Sequence, residues 1–180
     1  MNYGRCGCTV DCNDGCINRA CSEDCNKRNC SKRGACSNRW IGKTVEQRFE
    51  LFGTERTEWG LRARGDLPAG KLVLQYCGDY ITTATYETRC VQLGHPSSTY
   101  FIQVDAKHGI DARHHGNLAR FINHSCVPNL KPVKRVVKGT VRVFFVTIRE
   151  IRAREEVTFF YGDLKFVCNC ATCDAAREAF

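Results

Sequence analysis

Between Arg120 and Asn129 the chain reads RFINHSCVPN, placing an amide, an imidazole, a hydroxyl and a thiol in consecutive positions, Asn123 to Cys126. Amide and imidazole groups hold and orient polar ligands, and a thiolate binds soft metal ions. Taken alone, such a stretch equally suits a polar loop closed by Pro128. The remaining cysteines weigh on the choice. Of 14 in 180 residues, eight lie within 6–36 and three within 168–173, leaving only Cys77, Cys90 and Cys126 between. The opening MNYGRCGCTV has no apolar run of the signal-peptide kind, and the spacings are short, so metal ligation is expected rather than disulfides.

The front cluster runs Cys6-x-Cys8-x3-Cys12-x3-Cys16-x8-Cys25-x4-Cys30-x5-Cys36, with Cys21 additional. Such spacings let thiolates converge on a tetrahedral ion at about 2.3 Å. Seven ligands serve two zinc ions if one thiolate bridges, and eight serve two without a bridge. The tail, Cys168-x-Cys170-x2-Cys173, supplies three ligands and needs a fourth. Cys126 is the free candidate, and its use would pin the tail beside Asn123 and His124. The alternative is a three-cysteine zinc with an open position.

Other elements must position these groups. Residues 1–40 hold almost no aliphatic side chains, so metal has to supply their folding energy. From Phe49 onward short β-branched and aromatic runs appear: KLVLQY (71–76), YFIQVD (100–105), LKPVKRVV (130–137), TVRVFFV (140–146) and EVTFFY (156–161). These read as strands, with turns at Lys138-Gly139 and at LPAG (67–70). Helical signal is confined to 82–94, capped by threonine and stopped by Gly94, and to a turn or two within 116–122. A mainly β protein is expected. No run of about 18 apolar residues occurs, so a membrane span is not expected. The formal charge of +8 overstates basicity. Eleven zinc-bound thiolates contribute −11 and three Zn²⁺ ions +6, leaving about +3. Two basic strips remain, Lys27, Arg28, Lys32, Arg33 and Lys131, Lys134, Arg135, Lys138, which suit either a solvated face or non-specific contact with DNA phosphates.

Five segments, in order, resemble the SET-domain protein lysine methyltransferases: EWGLRA (58–63), LQYCGDYI (74–81), GNLARFINHSCVPN (116–129), EEVTFFYGD (155–163) and CNCATC (168–173). The front, with CINR (16–19) and CSNRW (36–40), resembles the AWS variety of pre-SET region. The resemblance implies a pre-SET zinc region at 1–43, a catalytic domain at 44–164 and a post-SET zinc tail at 165–180. Its fold would be several short curved sheets with few short helices and a knot-like crossing near the C-terminus. It further implies that Cys12 bridges the two front zincs and Cys21 is surplus; two separate four-cysteine sites remain the alternative. Three structural zinc ions are expected in all.

By the same resemblance, S-adenosylmethionine donates a methyl group to a lysine amine. A free lysine has a pKa near ~10.4, so presenting the neutral amine at pH 7 costs roughly 4–5 kcal/mol. A narrow apolar channel and a neighbouring sulfonium both lower that cost, and the remaining problem is in-line alignment. Tyr161 is the expected catalytic residue. Trp59, Gly60, Tyr100, Asn123 and His124 are expected at the cofactor, His124 mainly through its backbone. Tyr76 and Phe159 would line the lysine channel with Tyr161, and Arg120 would anchor the motif. Phenylalanine at 159, where a tyrosine would crowd the amine, leaves room for di- or trimethylation.

Three departures stand out: Glu58 before Trp59-Gly60, Phe160 where an acidic residue is usual, and a short tail spacing. The front resembles enzymes acting on histone H3, lysine 36 foremost and lysine 4 less often. The tail resembles those acting on H4 lysine 20. Histone H3 in a tail peptide or nucleosome is the expected substrate, the nucleus and chromosome the expected location, and a monomer the expected state. An inactive chromatin-binding scaffold and a nucleic-acid-binding zinc module are the competing readings.

Overall fold

The structure is a computed structural model that describes residues 5–33, 35–92, 100–162, 167–168 and 170–178. Within these residues ten strands follow one another: β1 (Phe49–Gly53), β2 (Trp59–Ala63), β3 (Leu72–Tyr76), β4 (Asp79–Thr82), β5 (Phe101–Gln103), β6 (His108–Asp111), β7 (Asn123–His124), β8 (Leu130–Val137), β9 (Thr140–Thr147) and β10 (Thr158–Phe159). Among the described residues three α-helices accompany them: α1 (Ile17–Ala20), α2 (Thr83–Gln92) and α3 (Ala171–Glu178). The strands form three small sheets: β1-β2, β4-β6-β5, and a five-stranded sheet of order β3-β9-β8-β10-β7. No helix among the described residues is long and apolar enough to cross a membrane.

The longest hairpin, β8–β9, arises from its alternating β-branched residues and from Lys138-Gly139. Both turn residues take positive φ (52° and 81°), the twist that matches a tight antiparallel hairpin. Helix α2 starts as expected, with the Thr82 hydroxyl accepting the Thr85 N–H at 3.1 Å; its expected stop at Gly94 lies outside the described residues. The LQYCGDYI segment runs from β3 into β4. Gly78 divides them because a Cβ there would stand 2.5 Å from the Asp111 carbonyl oxygen. Strands β1, β2, β6 and β7 carry weaker signals; β7 is two polar residues, legible only through its partner β10.

Leu61, Leu67, Val73, Leu74, Val143, Phe145 and Ile151 are buried in one core that joins the sheets. Each such side chain contributes about 1.5–3 kcal/mol by leaving water. The front has a different core. There Cys6, Cys12, Cys16, Cys25 and Cys30 cluster together, buried where aliphatics would otherwise sit.

The front also adds a strand-like segment to the open edge of β8. Asp24 N–H donates to the Val136 carbonyl at 2.7 Å, and Val136 N–H donates to the Ser22 carbonyl at 2.8 Å. That pairing covers an edge that would otherwise be free to aggregate. It also corrects one basic strip. Arg135 is buried, not solvated: its guanidinium donates to Glu23 O at 3.2 Å and to Asn38 Oδ1, and lies 4.8 Å over the Trp40 ring. Trp40 in turn meets Phe144 edge-on at 5.6 Å, so the arginine rivets the front to the β8–β9 hairpin.

Candidate functional site

The site forms where β10 slips between β7 and β8. In register, Thr158 pairs with Asn123 and Phe159 with His124 on one side, and Phe159 pairs with Leu130 on the other. Because β7 and β8 are consecutive in the chain and β10 comes later, this is the crossing expected near the C-terminus. One buried side chain secures it. Asn129 donates to Glu155 Oε1 at 3.0 Å and to the Glu156 carbonyl at 2.8 Å, and accepts the Thr158 N–H at 2.9 Å. Sequence reading assigned Asn129 no role, since an asparagine after proline reads as a turn residue.

Beyond β10 the chain delivers Tyr161 to the wall of a cleft of about 970 Å³, a size suited to a cofactor. Trp59, Tyr100, Arg120, Asn123, His124 and Tyr161 line it, together with the β1–β2 turn and the tail residues Cys168 and Cys170. The Tyr161 hydroxyl donates to the Ile122 carbonyl at 2.7 Å, and its N–H donates to His124 Nδ1 at 3.2 Å. Burial pushes the Tyr161 phenol above its ordinary pKa, so it stays protonated at neutral pH. Tyr76 is raised by the same cause and donates to the Tyr100 carbonyl at 2.8 Å. Tyr76 and Phe159 are buried one layer deeper than Tyr161; the Phe159 ring centroid lies 4.6 Å from that of Tyr161. Burial lowers the His124 pKa, which favours its neutral form.

Asn123 sits at the seam of the site. Its Nδ2 donates to the Trp59 carbonyl at 3.1 Å and to Glu156 Oε1 at 2.8 Å. Glu156 therefore belongs to the cleft, although a carboxylate leading into a strand gave no such signal. Gly60 allows this packing: a Cβ there would lie 2.8 Å from Glu156 Oε1, Phe52 and Thr54 alike. Glu58 is exposed with φ of 59°, a left-handed backbone that is costly for a side chain bearing a Cβ. Arg120 behaves as an anchor, its guanidinium 4.4 Å over the Tyr100 ring. Arg56, in the β1–β2 turn, reaches Asp174 of α3 at 2.7 Å and so ties the turn to the tail.

The cysteines assemble as zinc sites should. Four thiolates around a tetrahedral zinc stand about 3.8 Å apart, given Zn–S bonds of about 2.3 Å. Cys126 lies 3.9 Å from Cys168 and 3.5 Å from Cys173, and with Cys170 these form one four-thiol group. Cys126 is thus the fourth thiol of the tail group, the position expected for it from the sequence. In the front, Cys6, Cys8, Cys12 and Cys16 form one group, while Cys6, Cys12, Cys25 and Cys30 form another. Sulfur separations of 3.6 Å (Cys6–Cys12, Cys12–Cys30) and 3.8 Å (Cys30–Cys36) carry the cluster on to Cys36. Cys6 and Cys12 are common to both groups, so either thiol stands where a bridging ligand would. Cys21 joins none of these groups. The Asn18 and Asn38 amides each donate to Cys25 Sγ at 3.3 Å, which stabilises a thiolate there.

The cleft also fits a zwitterionic sulfonium cofactor. It offers Glu156 near the Asn123 amide, the arginines Arg56 and Arg120, and the aromatic faces of Trp59 and Tyr100.

Comparison with known proteins gives the same answer. The profile of the family described as "SET domain" matches residues 58–162. "Histone-lysine N-methyltransferase SETD2" of Mus musculus is 36% identical over 154 residues, covering 84% of this chain and 6% of the mouse protein. "Histone-lysine N-methyltransferase, H3 lysine-36 specific" of Homo sapiens is 35% identical over 162 residues, 86% of this chain and 6% of its own length. "Putative histone-lysine N-methyltransferase ASHH4" of Arabidopsis thaliana is 32% identical over 161 residues, 88% of this chain and 44% of its own. The chain thus spans a minor part of the curated relatives it matches. With a matching profile over more than half its length and a cleft built from the matching motifs, this chain belongs to the SET-domain family.

Proposed function

We propose that this chain is a lysine methyltransferase that moves a methyl group from S-adenosylmethionine to a lysine of histone H3, with lysine 36 favoured. The observation that carries the reading is convergence. Tyr161, the Asn123-His124 pair and the Cys126-anchored tail, distant in sequence, meet at one cleft. The H3 lysine-36 preference draws support from the specificity in the human relative's name and from the AWS-like front.

The cofactor, when bound, supplies an electrophilic methyl group on a sulfonium. Trp59, Tyr100, Asn123 and His124 form the wall that holds it. Its own positive charge disfavours a lysine ammonium nearby, and the aromatic surroundings of Tyr76, Phe159 and Tyr161 disfavour it further, so the amine arrives neutral. Because the Tyr161 O–H is given to the Ile122 carbonyl, the phenolic oxygen keeps lone pairs for the incoming amine and orients it. Phe159 brings no hydroxyl that would retain a water there, which leaves space for a second and third methyl. The zinc ions take no part in the transfer; they hold the front and the tail in place. We assign residues 1–43, 44–164 and 165–180 to pre-SET, catalytic and post-SET regions, acting on nucleosomes in the nucleus.

The test is incubation with recombinant nucleosomes and labelled cofactor, then mass spectrometry of every histone. Dimethyl or trimethyl H3 lysine 36 is expected from wild type, and a rate lower by about 100-fold from Tyr161→Phe. Product at H4 lysine 20 instead would make the tail, not the front, the guide to specificity. Only monomethyl product under excess enzyme would refute the role given to Phe159. No label on any histone would favour an inactive scaffold, for which the strained Glu58 at the cleft rim is the supporting feature.

A further inference from the structure

His124 lines the cleft, and its ring makes contacts of its own. Nδ1 accepts the Tyr161 N–H at 3.2 Å. A neutral imidazole carries one proton, so an accepting Nδ1 puts that proton on Nε2. Nε2 stands 3.5 Å from Cys126 Sγ, within reach of an N–H to sulfur hydrogen bond. Cys126 in turn lies 3.5 Å from Cys173 and 3.9 Å from Cys168. An unbroken line therefore runs from the tail thiols through Cys126 and the imidazole to the main chain of Tyr161.

Tyr161 has reason to depend on that line. Strand β10 ends at Phe159, and among the described residues no ladder partner takes the Tyr161 N–H. Its hydrogen bonds run from the main chain to the imidazole and from the phenol to the Ile122 carbonyl. The imidazole also packs edge-on against the Tyr161 ring at 5.4 Å.

We propose that the His124 side chain is a positioning residue that couples the tail metal site to Tyr161, using Nε2–H on the Cys126 sulfur and Nδ1 on the Tyr161 amide. Loss of the tail metal then reaches the methyl-transfer point through one ring, and a well-held Tyr161 in return steadies the metal. This rests on the methyltransferase reading for its meaning but not for its measurement.

Two variants divide the ring's functions. Asparagine places Oδ1 near the position of Nδ1, keeping the acceptor for Tyr161 while falling short of Cys126. Glutamine places Nε2 near the ring's Nε2, keeping the donor to Cys126 while losing the acceptor. Two readouts need no activity: release of zinc to a chromogenic chelator, and hydrogen exchange of the Tyr161 amide. The chelator phase that disappears in Cys170→Ser identifies the tail ion. For His124→Asn, tail zinc release should quicken about tenfold, with Tyr161 amide protection within about threefold of wild type. For His124→Gln, zinc release should hold while the Tyr161 amide exchanges about tenfold faster. With active enzyme, His124→Gln should also lower kcat and leave KM for an H3 peptide unchanged. The crossed pattern is the signature, because a ring that merely fills space would make both variants fail alike. Equal effects of the two variants on both readouts, or no effect of either, would overturn the coupling. Absence of methyl transfer from wild type would sink the proposed function and leave these two readouts standing.

Discussion

Asn129 offers the sharpest test of how the site is built. Its buried side chain makes three hydrogen bonds, to Glu155 Oε1, the Glu156 carbonyl and the Thr158 N–H. Alanine removes all three, at roughly 1 kcal/mol each, and strands the Thr158 N–H beside β7, where an unpaired buried donor costs about 1–3 kcal/mol more. Some overlap between these penalties brings the expected loss to about 3–4 kcal/mol. For a chain of this size each kcal/mol shifts Tm by about 2–4 °C, so calorimetry at saturating zinc should show Tm lower by about 8–12 °C. Asn129→Asp keeps an acceptor for Thr158 N–H but sets a carboxylate against Glu155 and the Glu156 carbonyl, and should lose about as much. Because Thr158 and Phe159 carry the chain towards Tyr161, methyl transfer well below the new Tm should fall as well. An alanine variant within about 2 °C of wild type would refute the claim that this residue secures the crossing.

Replacing the strained Glu58 with glycine removes a left-handed backbone penalty of about 1 kcal/mol, so E58G should raise Tm by about 2–4 °C; an unchanged or lower value would refute strain at that turn. Arg135→Ala deletes the guanidinium held by Glu23, Asn38 and Trp40, and about 2–3 kcal/mol of docking should go with it. Limited proteolysis should then cut the front first, whereas wild-type resistance would show that the rivet is dispensable. Burial alone would raise the Asp111 carboxyl, but hydrogen bonds from Arg113 and Arg89 hold it below its ordinary value. Its contribution is therefore present above the unfolded carboxylate range near ~3.9 and is lost as pH falls through the lower folded value. Asp111→Asn should be less stable than wild type at pH 7, with the gap narrowing below about pH 4; a gap that stays constant with pH would exclude the ion pairs as its source.

Much of this protein is written in local chemistry. Cysteine spacing alone identified the front cluster and left the tail one ligand short, because tetrahedral coordination fixes how many thiols must meet. Alternating β-branched residues gave β8 and β9, and Lys138-Gly139 gave their turn, since each depends only on near neighbours. The motif around Asn123, His124 and Tyr161 was legible by resemblance.

Other features depend on partners far away in the chain. Strand β7 is two polar residues and exists because β10 lies beside it. Arg135 looks like any surface cation until the front folds over it. Asn129, Glu156 and the His124 ring acquire roles only where the crossing brings residues 123–129 against 155–161. Short cysteine spacings pointed to metal ligation, and the resemblance of the motifs pointed to the reaction. Tertiary structure decided which hydrogen bonds hold those groups together, because a side chain's partner is set by burial and approach, which no local pattern specifies.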